Sequence, residues 1–300
     1  MIINNFDQLI KKVSKFEKKR KVAVAVAEDA HTLEAVFKAK EEGIVDPILI
    51  GNKRKIDEIL NNTNYSFDDN LIIDAKDEKA AAYKSVELVN IGEVDFIMKG
   101  KIQTADLLKA VVDKEKGIRT DKLMSHFAIL EVPTYHKLLV ITDGGMVMYP
   151  DLEEKRKIIE NAVDVMLSLG YKEPKVGVLA AVENVNPKMP ETVDAAELKK
   201  MNQKGEIKNC IIEGPISYDL SVNKESAEIK GFNSPVAGDV DILLASNITV
   251  GNVLAKSLIY SGNSKMAGFI VGAKAPIVLT SRGSSTEEKY LSLVLSAASV

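Results

Sequence analysis

The sequence is short of the residues that carry redox and metal chemistry. Its 300 residues include one cysteine, Cys210, three histidines and no tryptophan. A single cysteine cannot close an internal disulfide, and the histidines stand outside any Cys-x-x-Cys or His-Glu-x-x-His spacing. The sequence therefore predicts neither redox chemistry nor a metal site.

The chain also lacks an excess of one charge and any long apolar run. Lys and Arg number 40 and Asp and Glu number 43, which gives a formal net charge of −3. Because both signs are scattered, no basic field favours nucleic acid or an acidic lipid surface. No apolar run approaches the about 20 residues that cross a membrane, and the first residues alternate apolar with charged side chains, unlike a secretory signal. We therefore expect a cytoplasmic protein without a nucleic acid or membrane partner.

What is present is a repeated alternation of amphipathic helix and short apolar strand. FDQLIKKVSKF has apolar residues at helical spacing and precedes the Val-rich run KVAVAVAE, and the alternation continues through DFIMKG, KLLVITD and APIVLTS. Strands without polar alternation, separated by amphipathic helices, predict a parallel sheet covered on both faces. The pattern restarts at Asp151, so we expect two α/β domains that join near residues 140–150.

The common nucleotide-binding motifs are absent from the sequence. No G-x-G-x-x-G follows the first strand, and no G-x-x-x-x-G-K-[ST] occurs, which excludes the dinucleotide and P-loop interpretations. In open α/β sheets, ligands bind beyond the carboxyl ends of the strands, where helix N-termini present N–H groups to anions. Candidate site residues are therefore expected at strand-to-helix junctions.

The richest junction is APIVLTSRGSSTEEKY, which ends the last predicted strand. Ser281 and Arg282 follow this strand, and a hydroxyl beside a guanidinium suits a phosphate or a developing oxyanion. Two possible capping boxes come next, Ser284 with Glu287 and Ser285 with Glu288. Glu288 can therefore be a structural cap or a chemical group, and both interpretations stay open.

Other junctions carry cations and amides. Lys99, Lys101 and Thr104 surround a strand end and a helix start in DFIMKGKIQTADLLK, which suits an anion; alternatively Thr104 is the helix N-cap and the lysines are solvated. Lys188 lies in VENVNPKMPET and Asn252 in SNITVGNVLAK, where ordinary turn chemistry is the alternative.

These segments together resemble the phosphate acetyl/butyryltransferase family, and most closely its butyryltransferase branch. The resemblance extends from about residue 21 to the C-terminus. It is carried by KVAVAVAEDAHTLEAV, IMKGKIQTADLL, GIRTDKLMSH, NPKMPETVDA, IEGPISYDL, AGDVDILLASNITVGNVLAKSL and APIVLTSR.

The resemblance implies a fold and an activity. The expected fold has two α/β domains with an interdomain cleft, like isocitrate and isopropylmalate dehydrogenases. Its last helix returns to the first domain, so the predicted domains are residues 1–141 plus 284–300 and residues 142–283. The implied reaction transfers a short acyl group, butyryl or a similar straight or branched chain, between coenzyme A and inorganic phosphate. These two are substrates, no cofactor or metal is expected, and the protein is expected to form a homodimer or a larger homo-oligomer.

The resemblance also assigns roles to residues. The acetyltransferase relatives carry the run Ser-Arg-Gly-Cys-Ser-Val-Glu-Asp, in which the first Ser assists the thiol or the intermediate, the Arg handles phosphate and the Asp is the base. By position these roles fall on Ser281, Arg282 and Glu288. Arg119, otherwise a plain loop charge, becomes a candidate for the coenzyme A phosphates. The remaining expected substrate-binding residues are Lys99, Lys101, Thr104, Lys188 and Asn252.

Three alternatives remain at this stage. An acetyl-preferring enzyme differs only in chain-length preference, and each methylene is worth about 1 to 3 kcal/mol in an apolar pocket. A non-catalytic acyl-CoA-binding protein would bind coenzyme A without turnover. A decarboxylating dehydrogenase would need a carboxylate cluster for a divalent metal and a nicotinamide site, and the sequence shows neither.

Overall fold

The chain forms two compact bodies in a computed structural model that describes residues 3–63, 65, 68–281 and 283–300. The first body comprises Phe6–Lys122 with Ala267–Val300, and the second comprises Met1–Asn5 with Leu123–Met266. The domain limits given above, residues 1–141 plus 284–300 and residues 142–283, stay a prediction. Among the described helices, none has the length and hydropathy needed to cross a membrane.

The first body has a sheet with helices packed on it. Its elements are α1 (Phe6–Val13), β1 (Arg20–Ala25), α2 (Ala30–Glu41), β2 (Val45–Gly51), α3 (Lys53–Asn61), a 3₁₀ turn (Asp69–Leu71), β3 (Ile72–Asp74), α4 (Glu78–Asn90), β4 (Phe96–Lys99), α5 (Thr104–Val111), β10 (Lys265–Val271), β11 (Ile277–Val278) and α11 (Thr286–Ser299). The strand order is β3-β2-β1-β4-β11-β10. Strands β3, β2, β1, β4 and β11 are parallel, so their carboxyl ends share one edge.

Local sequence signals decide where the helices of this body begin. The side chains of Asp29, Asn52 and Asp77 each accept a hydrogen bond from the backbone N–H three residues later, and so they cap α2, α3 and α4. Such a cap contributes about 1 kcal/mol. The apolar runs of β1 and β4 are buried, as strands covered on both faces should be. Helix α11 is buried over most of its length and packs against α1 and α2.

The second body is also an α/β unit. Its elements are β5 (Ser125–Glu131), β6 (Leu138–Thr142), α6 (Leu152–Ser168), β7 (Lys175–Leu179), α7 (Pro190–Gln203), β8 (Ile211–Ile216), α8 (Tyr218–Val222), α9 (Lys224–Ile229), β9 (Ile242–Leu244) and α10 (Ile248–Tyr260). The strand order is β5-β6-β9-β7-β8.

Two strand pairs differ from the predicted parallel sheet. Strands β5 and β6 pair antiparallel, and so do β10 and β11. The reason is visible in the connections: residues 132–137 and 272–276 contain no helix, and a parallel pair needs a crossover of a dozen or more residues. The remaining strand pairs named here are parallel, as predicted.

Candidate functional site

A cavity of about 590 Å³ lies at the carboxyl ends of three neighbouring strands in the first body. Its lining residues follow β1, β4 and β11, together with the starts of α4 and α11: Glu28, Asp29, Ala30, His31, Thr32, Glu78, Lys99, Gly100, Lys101, Ile102, Gln103, Thr280, Ser281 and Lys289. Strand β4 is parallel to β1 on one side and to β11 on the other. This register brings together three predicted site residues, Lys99, Lys101 and Ser281, although Ser281 is about 180 positions away in the chain.

The floor of the cavity is a close approach between the ends of β1 and β4. The backbone N–H of Gly100 donates to the Ala25 carbonyl at 2.8 Å, and that of Lys101 donates to the Val26 carbonyl at 2.7 Å. A Cβ on Gly100 would lie 2.1 Å from the Val26 carbonyl oxygen. Val26 itself has a φ of 58°, an unfavourable conformation for a β-branched residue. The strand ends therefore leave no room for a side chain at position 100.

Of the three acidic residues that line the cavity, Glu28 and Asp29 have hydrogen-bond partners on the protein. Glu28 accepts from the Lys55 ammonium at 3.1 Å and from the backbone N–H of Asn52 at 2.8 Å. Asp29 caps α2 by accepting from Thr32. Lys99 lines the same cavity, is only 7% exposed and donates from its Nζ to the Gly100 carbonyl at 3.4 Å. Because two of the three lining acids have partners on the protein, the lysines can still present positive charge to an anion.

Helix α5 adds a polar rim to the cavity. Its N-cap is Gln103, which makes no side-chain capping hydrogen bond, and Thr104 is its first helical residue. The alternative that Thr104 is the N-cap is therefore wrong by one position, because cap and first-turn residues differ only in backbone conformation. An N-terminus without a side-chain cap leaves backbone N–H groups for a ligand, and such groups favour negative charge.

The start of α11 resolves one of the open alternatives in part. Ser285 is the N-cap, and its hydroxyl accepts from the backbone N–H of Glu288 at 3.1 Å. The Glu288 carboxylate does not complete a box with Ser285; it accepts a hydrogen bond from Ser284 at 2.6 Å. The second predicted capping box, Ser284 with Glu287, does not form either, because the Ser284 hydroxyl donates to Glu288. The cap thus uses the backbone of Glu288, while its carboxylate contacts Ser284.

Burial raises the pKa of the Glu288 carboxyl above its usual range, while the Ser284 hydroxyl and the Lys289 charge oppose this rise. A raised carboxyl pKa brings the group closer to the pH at which a general base works best. Glu288 does not line the cavity described above, although its neighbour Lys289 does.

The other predicted residues lie elsewhere in the described chain. Arg119 is exposed and forms an isolated β-bridge with Ala273. Lys188 is exposed in the second body, with its backbone N–H bonded to Asn186 at 3.0 Å. Asn252, in α10, donates to the Gly144 carbonyl at 3.1 Å. Arg282 lies outside the described residues.

Several lining residues were not predicted from the sequence, and Lys289 is the cation among them. Lys289 stands in the first turn of α11 and is only 5% exposed. A signal for it does exist: from Tyr290 to Val300 the sequence carries no charged side chain, and a helix that is apolar all round is buried. A lysine at the start of such a helix is therefore buried together with the helix.

Comparison with known proteins shows the family of this chain. The family model described as phosphate acetyl/butaryl transferase matches residues 5–83 and 72–297. The chain belongs to this family. The resemblance drawn from the motifs is thus confirmed, and the protein is a transferase, as predicted. The phosphate butyryltransferase of Clostridium acetobutylicum is 45% identical to it over 296 residues, which cover 99% of this chain and 98% of that one.

Other relatives extend the comparison. The phosphate acetyltransferase of Thermotoga maritima is 45% identical over 280 residues, covering 93% of this chain and 95% of its own. A branched-chain phosphotransacylase of Enterococcus faecalis, known from a crystal structure, aligns with a TM-score of 0.82 at 35% identity over 93% of this chain and 98% of its own. A 4-hydroxythreonine-4-phosphate dehydrogenase of Klebsiella pneumoniae, 13% identical with a TM-score of 0.58 over 94% of this chain and all of its own, shares the fold alone. The predicted dehydrogenase-like α/β class is confirmed.

Proposed function

We propose that the protein reversibly transfers a short-chain acyl group, butyryl or a similar straight or branched chain, between coenzyme A and inorganic phosphate. The observation that carries the proposal is the convergence of Lys99, Lys101 and Ser281 on one cavity beside the start of α5. A cavity lined by ammonium groups, a hydroxyl and helix N–H groups suits a phosphoryl group. The relatives of known name support the acyl class.

The reaction depends mainly on how the enzyme positions the two substrates around the acyl carbonyl. In one direction the sulfur of coenzyme A attacks the carbonyl carbon of the acyl phosphate; the C–S bond forms, the bond from carbon to the phosphate oxygen breaks, and the thiol proton passes to a base. We assign the base to Glu288 and the support of the tetrahedral oxyanion to Ser281 and Arg282, by the family run. Coenzyme A and phosphate are substrates in this proposal, and no cofactor or metal enters any step.

The remaining assignments concern substrate binding. Arg119 is proposed to bind the coenzyme A phosphates, because an exposed guanidinium is a strong hydrogen-bond donor to phosphate oxygens. Lys188 and Asn252 are proposed as further substrate contacts on the second body. Thr104 joins Lys99 and Lys101 as part of the anion site. The predicted cytoplasmic location stays part of the proposal.

A homo-oligomer is the expected assembly, and helix α10 supports it. Its exposed side includes Val250, Val253 and Tyr260, which are 40%, 58% and 79% exposed. An apolar stripe of this kind is typical of a protein interface. Light scattering should give a mass of at least twice the 32.8 kDa of one chain, and a mass of one chain would contradict the proposal.

The decisive experiment is an assay of thiol release with inorganic phosphate and acyl-CoAs of graded length. We expect the highest kcat/KM with a four- or five-carbon straight or branched chain. A preference for acetyl-CoA, which the Thermotoga maritima relative makes the second candidate, would correct the chain length. The absence of thiol release with every short acyl group would contradict the function and favour a binding protein.

Arg282→Ala tests the assigned guanidinium. We expect kcat/KM to fall by about 10²- to 10³-fold, the usual loss when one hydrogen-bond donor to an oxyanion or a phosphate is removed. The melting temperature should stay that of the wild type, measured by calorimetry. Wild-type turnover in this variant would remove Arg282 from the mechanism.

A further inference from the structure

The described chain buries three lysines, and they differ in what they contact. Lys99, Lys155 and Lys289 are 7%, 6% and 5% exposed. Lys155 lies against Asp194, with 2.6 Å between Nζ and the carboxylate. Lys289 makes no side-chain hydrogen bond or ion pair with any residue that the structure describes, and it lines the cavity at the carboxyl ends of β1, β4 and β11. Its side chain therefore borders that open space.

A buried charge without a partner is costly. Lysine is almost never fully buried unless paired, because removing an ammonium from water costs several kcal/mol even after relaxation. The position itself does not require a charge: the backbone of Lys289 continues α11 by bonding to the Ser285 carbonyl at 3.2 Å. An apolar residue of the same length would serve the helix as well. The charge is thus unexplained by the folded chain alone.

Among the described residues, no hydrogen bond or ion pair joins Lys289 to Glu288 or to the lining acids Glu28, Asp29 and Glu78, although its charge acts on Glu288 through space. Glu28 is held by Lys55 and by the backbone of Asn52, and Asp29 caps α2. Glu288, adjacent in the chain, accepts from Ser284. The partner that the cavity leaves room for is therefore an anion from solution.

We propose that Lys289 binds the phosphoryl group of inorganic phosphate or acyl phosphate in this cavity. The proposal rests on the function proposed above and names a residue that the family run did not assign. Lys289 approaches from α11, while Lys99 and Lys101 approach from the end of β4, so cations from two sides surround the same space. The phosphates of coenzyme A are not the ligand of Lys289 in this proposal.

The first test does not depend on activity. Lys289→Met keeps the length of the side chain and removes its charge, and a buried charge replaced by an apolar group is often neutral or stabilising. We expect its melting temperature without phosphate to equal or exceed that of the wild type. Inorganic phosphate, compared with chloride at equal ionic strength, should raise the melting temperature of the wild type. Lys289→Met should lose most of this phosphate-dependent rise, and Lys289→Arg should keep part of it.

The second test measures whether Lys289 contributes to the binding of phosphate or of acyl-CoA. In Lys289→Met, the KM for phosphate should rise by about ten- to one-hundredfold, as expected when a charged hydrogen bond is lost. The KM for the acyl-CoA should change by less than about twofold if its phosphates bind elsewhere. Lys204→Met, an exposed lysine at the end of α7, is the matched control and should change neither value.

The outcomes separate the two proposals. An unchanged phosphate-dependent melting temperature and phosphate KM in Lys289→Met would overturn the assignment. A rise in the acyl-CoA KM with an unchanged phosphate KM would also overturn it, since Lys289 would then serve coenzyme A. If the wild type released no thiol from any acyl-CoA, the proposed function would fail, yet the phosphate-dependent melting temperatures would still decide whether Lys289 binds phosphate.

Discussion

Replacing Glu288 with glutamine is expected to slow acyl transfer to coenzyme A by about 10²- to 10⁴-fold at pH 7, the range for loss of a general base. The protein should stay folded, because the Ser285 cap bonds to the backbone of Glu288 and the amide oxygen can still accept from Ser284. Stopped-flow measurement of thiol consumption gives the rate. Glu287→Gln removes the same charge from an exposed neighbour and serves as the control.

The pH dependence distinguishes a base from a structural group. A thiol has a pKa near 8.5, so the thiolate forms without help at higher pH. The deficit of Glu288→Gln should therefore shrink by roughly tenfold between pH 7 and 9. An equal deficit at both pH values, or no deficit, would show that Glu288 acts only at the helix start.

The pH dependence of the melting temperature tests the raised pKa of Glu288 in the same variant. Burial raises the pKa of Glu288 in the folded protein, so the group favours folding when protonated, and this contribution is lost as pH rises through the folded pKa. Glutamine cannot ionise and keeps no such dependence. The melting temperature of Glu288→Gln should thus rise relative to that of the wild type as the pH increases from about 4 to 7. A widening loss over that range would contradict the raised pKa.

Gly100→Ala is expected to damage both fold and activity. The new Cβ would lie 2.1 Å from the carbonyl oxygen of Val26 and 2.9 Å from that of Ala25, both of them backbone atoms that hold β1 against β4. Because neither can move like a side chain, the strand ends must separate. Overpacking of this kind costs about 3 kcal/mol, and the melting temperature should fall by about 6 to 12 °C. Since Lys99 and Lys101 flank this position, turnover should fall as well.

Gly283→Ala is the matched control for the melting temperature. A Cβ at Gly283 meets no atom within 4 Å, so the same added methyl group has open space. We expect its melting temperature to stay within about 2 °C of the wild type. A Gly100→Ala protein as stable as this control would show that the approach of β1 and β4 is not fixed.

Much of the fold was accessible from the sequence because helices and strands differ in hydrophobic period. The expectation of polar residues at strand ends also served well: Lys99, Lys101 and Ser281 line one cavity. Details that depend on one residue of backbone conformation were missed. Thr104 is not the N-cap of α5, and the Glu288 carboxylate contacts Ser284 where a capping box with Ser285 had been predicted.

The sequence by itself determined the α/β alternation and the family, because these reside in local periodicity and in short runs of residues. Tertiary structure alone decided which distant residues meet. Sheet order places Ser281 beside the end of β4, and the burial of α11 brings Lys289 to the same cavity. No local pattern encodes either result, since the neighbours of a strand and the depth of a helix depend on packing across the whole body.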